Sequence, residues 1–249
     1  MGSVEAFPRK PGIATIADVW RVAPLVGVGE MRVREMRHED CAAIRALHRE
    51  ATPAVPPPTL QQLESRRHIF PEGQLVADVD GVIVGAAGTL VVRWDDYALH
   101  HTWSTVTGEG YFTTHDPSGR TLYGSHVVAD VTRRGFGVAR ALYQAQRRIC
   151  RRMNLRRIIA AARLPGYRAL REAMTPELYA MRVIWGDLVD PALRFQMSQG
   201  FQYCGMINDY QPEDAESCGH AALLVWLNPL HSPPRPPAAI ESQRQRKVA

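Results

Sequence analysis

Cysteine is scarce in this 249-residue chain, and its four copies are widely scattered. They form no Cys-x-x-Cys pair and join no cluster of histidines and cysteines. A disulfide framework and a structural zinc site both require such groupings, so the sequence argues against both and predicts no metal site. Scattered cysteines of this kind are typical of a reducing compartment, and we expect the protein to be cytoplasmic.

The chain also lacks a long apolar run. No stretch approaches the roughly 20 apolar residues that a bilayer-spanning helix needs. Arg9 and Lys10 are not followed by the apolar stretch of a secretory signal. We therefore expect no membrane partner.

Two familiar nucleotide motifs are missing as well. The chain contains no Gly-Lys-Ser or Gly-Lys-Thr, which excludes a Walker loop. A Rossmann loop would need Gly-x-Gly-x-x-Gly near the first strand and an acidic residue about 20 positions later. Here Gly135-x-Gly137 stands in the middle of the chain and is followed by Arg140. Neither nucleotide hydrolysis nor dinucleotide binding fits.

Net charge points to an anionic partner without identifying it. The formal charge is +5 at pH 7, which suits nucleic acid or a phosphate-bearing cofactor. The arginine-rich segment 140–152 directly follows the glycine-containing turn and has no interleaved aromatic platform of the kind that stacks on bases. This position favours a phosphorylated cofactor, and we expect no nucleic-acid partner.

Apolar periodicity divides the chain into three parts. Residues 1–30 show little periodicity and are expected to form an arm or tail, and residues 31–230 hold the core domain. Residues 231–249 include four prolines and a basic end, which predicts a disordered tail. The order within the domain is strand, helices, three strands, helix, strand, helices, two strands. This order predicts an α/β (α+β) layer with a mixed sheet.

Residues 93–120 are expected to form a long polar and aromatic loop, and long loops in compact domains are often functional. Its aromatic residues could wall an acceptor pocket or fill a core; they are Trp94, Trp103, Tyr111 and Phe112. Just before it, Asp80-Gly81 joins two apolar runs, which predicts a hairpin with a type I′ turn.

The segment Arg134-x-x-Gly137-x-Ala139 lies between a predicted strand and a predicted helix. Its glycines allow a tight turn and close approach of a ligand to the backbone. The free amides and the dipole at the helix N-terminus would suit a pyrophosphate, although a plain strand-to-helix turn would look similar.

The stretch Val127–Leu142 resembles the cofactor strand and pyrophosphate loop of the GNAT acetyltransferases. Arg32–Leu47 is similar to the first strand and helix of that family, and Phe195–Phe201 to its last helix-to-strand step. The resemblance covers roughly residues 31–228. A closer likeness, to the GNAT domain fused to carbon–nitrogen hydrolases in some bacteria, rests on several short segments; they are His115-Asp116-Pro117, Asn154-Leu155, Gly166-Tyr167, Asp190-Pro191, Phe195-Gln196 and Glu216–Gly219.

The resemblance implies a mostly antiparallel central sheet flanked by helices, with acetyl-CoA (coenzyme A) as cofactor. The strand end would bind the pantetheine arm through its backbone, and the loop amides would hold the pyrophosphate. The implied cofactor residues are Ala129, Asp130, Val131, Arg134, Gly135, Phe136, Gly137, Val138 and Ala139.

It also implies direct attack of an amine on the acetyl thioester, which requires a base and an oxyanion donor. The family's frequent acid, a tyrosine, is replaced here by Gln196. The candidates for the proton-transfer groups are Tyr123, His126 and Tyr167. Further candidates for the base are His115, Asp116 and Glu109, and each of these three, like His126, is more simply explained by a structural role. Water could also replace Tyr167 as the acid, or the thiolate could leave unassisted.

Two alternatives remain at this point. The protein is either an N-acetyltransferase acting on a small-molecule or peptide amine, or an acyl-CoA-binding GNAT scaffold without turnover. A homodimer is common in such folds.

Overall fold

The computed structural model describes residues 20–21, 30–97 and 100–233. Eight strands form one sheet in the order β1-β2-β3-β4-β5-β6-β8-β7. Every pairing is antiparallel except that of β5 with β6. The strands are β1 (Trp20–Arg21), β2 (Met31–Glu35), β3 (Gln74–Val79), β4 (Val82–Val92), β5 (Thr121–Ala129), β6 (Arg157–Ala162), β7 (Gln202–Ile207) and β8 (Ala221–Leu227). The expected mixed, mostly antiparallel sheet is confirmed.

Helices cover both faces of the sheet. They are α1 (Cys41–Ala51), α2 (Leu60–Ile69), α3 (Trp103–Thr107), α4 (Val138–Arg152), α5 (Pro176–Trp185) and α6 (Pro191–Ser198). Alternation along the strands separates the two cores. On β3, Val76 packs with α1 and α2, whereas Leu75 and Ala77 pack in the cluster that contains α4.

Local chemistry explains most element boundaries. Asp80 and Gly81 both have positive φ, 51° and 85°, as the predicted type I′ hairpin requires. Asp190 caps α6 by accepting from the amides of Ala192 and Leu193, and proline follows it at the first helical position.

The expected loop 93–120 is more ordered than the sequence suggested. It contains a 3-10 turn at Trp94–Asp96 and helix α3. At the start of α3, the hydroxyl of Thr102 accepts from the amide of Thr105, and the hydroxyl of Thr105 accepts from the amide of Thr102. This capping box satisfies two amides that lack partners within the helix. The helix has five residues, which is too short for its apolar period to show in the sequence.

The pairing of β5 with β6 covers only half of β5. It runs from Thr121 opposite Arg157 to Gly124 opposite Ala160 and then stops. Beyond this point β5 stays paired with β4 as far as Ala129, and β6 stays paired with β8 as far as Ala162. The two strands therefore diverge, and a cleft opens between them.

Of the predicted arm, the described pair Trp20–Arg21 extends the sheet beside β2. Residues 231–233 are described in the predicted tail. The other residues of both segments lie outside the described part of the chain, so the predicted boundaries stay predictions. No helix among the described residues has the length and apolar character to cross a membrane.

Candidate active site

The cleft between the diverging strands has a volume of about 840 Å³. Its walls come from β5, β6, α1, α2, α3, α4 and α6, together with the proline-rich segment 55–58 and residues 210–213. It begins beside the N-terminal turn of α4, where Ala139 lines it, and it extends past His126 to Arg66.

One wall of the cleft is the unpaired edge of β5. Residues 125–129 all line the cleft, and β6 does not pair with them. Their outward amides and carbonyls thus have no strand partner among the described residues. The register between β4 and β5 also shifts here, since Gly88 pairs with His126 but Thr89 pairs with Gly124. Ser125 is therefore the extra residue of a bulge, a feature that often lies beside active sites.

The glycine-containing turn leads directly from this edge into α4. Gly135 and Gly137 have φ of 88° and 76°, values that favour glycine. Gly137 is the N-cap of α4, and no side chain caps the helix. Arg134, Gly135 and Phe136 are exposed. The amides of the first turn are consequently open to an anion, and the helix dipole favours one.

Gln146 adds an unusual polar group to the cleft. It lies on α4, lines the cleft and has no exposed surface, yet neither its Oε1 nor its Nε2 has a hydrogen-bond partner among the described residues. A buried amide without partners costs free energy, on the order of 1–3 kcal/mol. The alternating donors and acceptors of a pantetheine arm would satisfy both this amide and the edge of β5. The donors present thus fit coenzyme A.

Tyr143 faces Gln196, which stands where the resemblance to the GNAT family would place a tyrosine acid. Gln196 Nε2 donates to Tyr143 Oη at 2.7 Å, and both residues line the cleft. Burial raises the pKa of Tyr143 to about 12, although the bond from Gln196 acts in the opposite direction. Because the hydroxyl accepts from Gln196, its own proton is free to be donated to a ligand.

His126 is the predicted base candidate that the structure places in the cleft. Its ring lies over Gly88, where an added Cβ would stand 2.3 Å from His126 Cε1. The His48 ring of α1 lies 4.9 Å away, centroid to centroid. Burial, together with the charges of His48 and Arg66, holds the pKa of His126 well below its usual value. His126 is therefore uncharged at neutral pH.

Tyr123 and Tyr167, the other two predicted proton-transfer residues, do not line the cleft. Tyr123 is fully buried, and its hydroxyl is 2.7 Å from that of Tyr210, which does line the cleft. Tyr167 packs against Tyr179 and donates to the carbonyl of Met174. Neither ring belongs to the cleft wall.

The other base candidates have visible structural partners or lie at the rim. His115 Nδ1 accepts from the amide of Val91, and Asp116 accepts from the amide and the hydroxyl of Ser118. His115 and Asp116 thus form part of a turn, whereas Glu109 is exposed at the rim of the cleft.

The loop aromatics divide between the two expected roles. Trp103 walls the cleft, and its Nε1 donates to Ser125 Oγ at 3.1 Å. Phe112 and Trp94 belong to the hydrophobic cluster around Tyr123 instead.

The predicted cofactor residues lie at the unpaired edge and the open turn, and their role in binding stays a prediction. The cleft residues that escaped prediction include His48, Arg66, Tyr143 and Gln146. Gln146 alone left a clear signal, because it is a polar residue within the buried stripe that includes Leu142, Ala145 and Ile149.

Comparisons with known proteins agree with this geometry. The sequence pattern of the acetyltransferase (GNAT) family matches residues 41–172, more than half of the chain. The probable hydrolase YhcX of Bacillus subtilis is 34% identical over 80% of this chain, which spans 39% of the length of YhcX. The uncharacterized N-acetyltransferase YkwB of the same organism is 28% identical, over 80% of this chain and 89% of YkwB.

Among solved structures, GphF, a GNAT-like decarboxylase in complex with isobutyryl-CoA, superposes with a TM-score of 0.69. It is 24% identical, over 79% of this chain and 99% of GphF, and therefore supports the fold alone. The fold predicted from the sequence is confirmed, as is the likeness to hydrolase-associated relatives. The chain belongs to the acetyltransferase (GNAT) family.

Proposed function

We propose that the protein transfers an acetyl or short acyl group from coenzyme A to a primary amine by direct attack in a ternary complex. The observation that carries this proposal is the continuity of the site. An unpaired strand edge, an uncapped helix N-terminus and an uncharged histidine line one cleft. Coenzyme A, when bound, supplies the activated acyl group as a thioester.

The cofactor would be held along the unpaired edge. Ala129, Asp130 and Val131 lie where the edge leads into the turn, and the amides from Arg134 to Ala139 would bind the pyrophosphate. Gln146 would hydrogen-bond to an amide of the pantetheine arm. An outward amide of the bulged segment near Ser125 would stabilise negative charge on the thioester oxygen.

His126 would accept the proton of the attacking amine. Since the pKa of His126 is low, the imidazole is already unprotonated at neutral pH. The amine nitrogen becomes strongly acidic as it bonds to carbon, so a weak base suffices. As the carbon–sulfur bond breaks, the Tyr143 hydroxyl would donate a hydrogen bond to the departing sulfur.

The acceptor is either a small-molecule amine or a peptide amine. All four cysteines are free, which fits the proposed cytoplasmic location. A homodimer remains an expectation.

The test is calorimetric titration with acetyl-CoA, followed by thiol release with a panel of amines. Binding with turnover is the expected result. Binding without turnover on any amine would favour the scaffold alternative, and absence of binding would contradict both.

A further inference from the structure

Arg66 is a buried cation without an acidic partner. It is 2% exposed and lies on α2, where its Nε donates to the carbonyl of Gly110 at 2.6 Å. Its guanidinium carbon lies 4.7 Å from the centre of the Phe112 ring. Among residues 30–97 and 100–233, no carboxylate forms an ion pair with it, and its two terminal nitrogens have no hydrogen-bond partner. A buried charge in this state is costly unless a ligand completes it.

Two histidines accompany Arg66 in the cleft. His48 Nε2 is buried and has no partner within the described part of the chain, and the His126 ring adjoins it. Burial lowers the pKa of both histidines most, and the charge of Arg66 adds to this effect. All three line the cleft.

The acidic residues of the cleft do not neutralise the charge of Arg66. Glu109 and Glu213 line the cleft but are exposed at its rim, and neither pairs with Arg66. The second arginine of the cleft, Arg163, is already paired with Asp214 at 2.6 Å and with Glu216 at 2.9 Å. Arg66 is thus the buried arginine of this cleft that is available to a ligand.

Building on the acyl-transfer function above, we propose that Arg66 and His48 bind a carboxylate group of a substrate. Arg66 would present its terminal nitrogens to the two carboxylate oxygens, a geometry that suits a planar guanidinium. His48, as the Nε2–H tautomer, would donate a third hydrogen bond. The substrate class is either an acceptor amine that carries a carboxylate, as an amino acid does, or an acyl group that ends in one.

The test compares carboxylates with matched amides. Binding of succinate and succinamide to the full chain is measured by NMR titration, with and without saturating coenzyme A. We expect succinate to bind at least tenfold more tightly, and Arg66→Gln to remove this difference. Arg67→Gln is the matched control, because the neighbouring Arg67 is paired with Glu64 and does not line the cleft. His48→Gln should reduce the difference by a smaller factor.

Acyl donors distinguish the two sources of the carboxylate. If succinyl-CoA binds at least tenfold more tightly than acetyl-CoA, and Arg66→Gln equalises them, the carboxylate belongs to the acyl group. If the two donors bind equally while succinate still binds together with coenzyme A, it belongs to the acceptor. Either result supports the carboxylate site.

Equal binding of succinate and succinamide by the unmodified protein would overturn the inference, even if Arg66→Gln failed to fold. Because this comparison needs no turnover, its failure is separate from that of the proposed function, which would appear as absence of acetyl-CoA binding.

Discussion

Gly88→Ala should disable the proposed base without disturbing the cofactor site. The added Cβ would lie 2.3 Å from Cε1 of His126 and 2.9 Å from its Nδ1. Ordinary carbon contacts begin near 3.5 Å, so the ring must move by about 1.2 Å. Misplacement of a catalytic group by about 1 Å can cost a factor on the order of 100, or about 2.7 kcal/mol of activation free energy.

We expect kcat/KM for thiol release to fall about 100-fold in Gly88→Ala, while the Kd for acetyl-CoA stays within about threefold. Overpacking should also lower the free energy of unfolding by about 1–3 kcal/mol. Gly124→Ala is the matched control for stability, because its Cβ would meet nothing closer than Ile159 O at 3.6 Å. A folded Gly88→Ala protein with undiminished kcat/KM would refute the role of His126.

Three further predictions concern other parts of the cleft. Gly137→Glu places an anion at the glycine-containing turn, on a backbone whose positive φ strains any residue except glycine. Calorimetry should therefore show acetyl-CoA binding weakened at least tenfold (about 1.4 kcal/mol). Unchanged affinity in the folded variant would exclude the turn as the phosphate site. Tyr143→Phe removes the hydroxyl that accepts a hydrogen bond from Gln196. Steady-state assays of thiol release should show kcat lowered by about 100-fold, while the affinity for acetyl-CoA is retained. An unaltered kcat would exclude Tyr143 from the reaction. Burial, and secondarily the charge of Arg66, lower the pKa of His48 to about 4, so below about pH 6.5 the unfolded chain takes up a proton that the folded chain resists. This contribution to stability is complete above pH 6.5 and is lost as the pH falls towards 4. Protonation of His48 in the unfolded chain should therefore lower the free energy of unfolding by about 2 kcal/mol between pH 7.5 and pH 5. Urea denaturation should show that His48→Gln loses less stability over this pH range than the unmodified protein does. Identical losses in the two proteins would contradict the lowered pKa of His48.

The parts of the fold that local chemistry determines were predictable from the sequence. The Asp80-Gly81 hairpin follows from two residues that accept positive φ, and the start of α6 follows from Asp190-Pro191. The glycine-containing turn before α4 was predictable because glycines stand between an apolar strand and an amphipathic helix, and its phosphate-binding role stays a prediction. Each of these signals lies within a few consecutive residues.

The shape of the cleft was not predictable in the same way. The divergence of β5 from β6 depends on register between segments more than 30 residues apart, as for Thr121 and Arg157. Likewise, His48 and Arg66 come from two helices joined by a proline-rich segment, and their presence in one cleft depends on how α1 and α2 pack. Sequence spacing does not record such contacts, and a buried arginine looks like any other arginine in the chain.

The consequence of having Gln196 in place of a tyrosine can be understood only together with its hydrogen-bond partner, Tyr143. Gln196 alone suggested that the family's acid was missing. The structure shows that Gln196 donates to a tyrosine on the cofactor helix, 53 positions earlier in the chain. In the proposed chemistry, the hydroxyl donor near the sulfur therefore comes from α4.

The most direct test of the central claim is calorimetric titration of the unmodified protein and of Gly137→Glu with acetyl-CoA, with NADH and ATP as control ligands. The account predicts micromolar binding of acetyl-CoA to the unmodified protein, at least tenfold weaker binding to the variant, and weaker or no binding of the controls. Absence of acetyl-CoA binding, or equal affinity for NADH and ATP, would contradict the assignment of this cleft as an acyl-coenzyme A site.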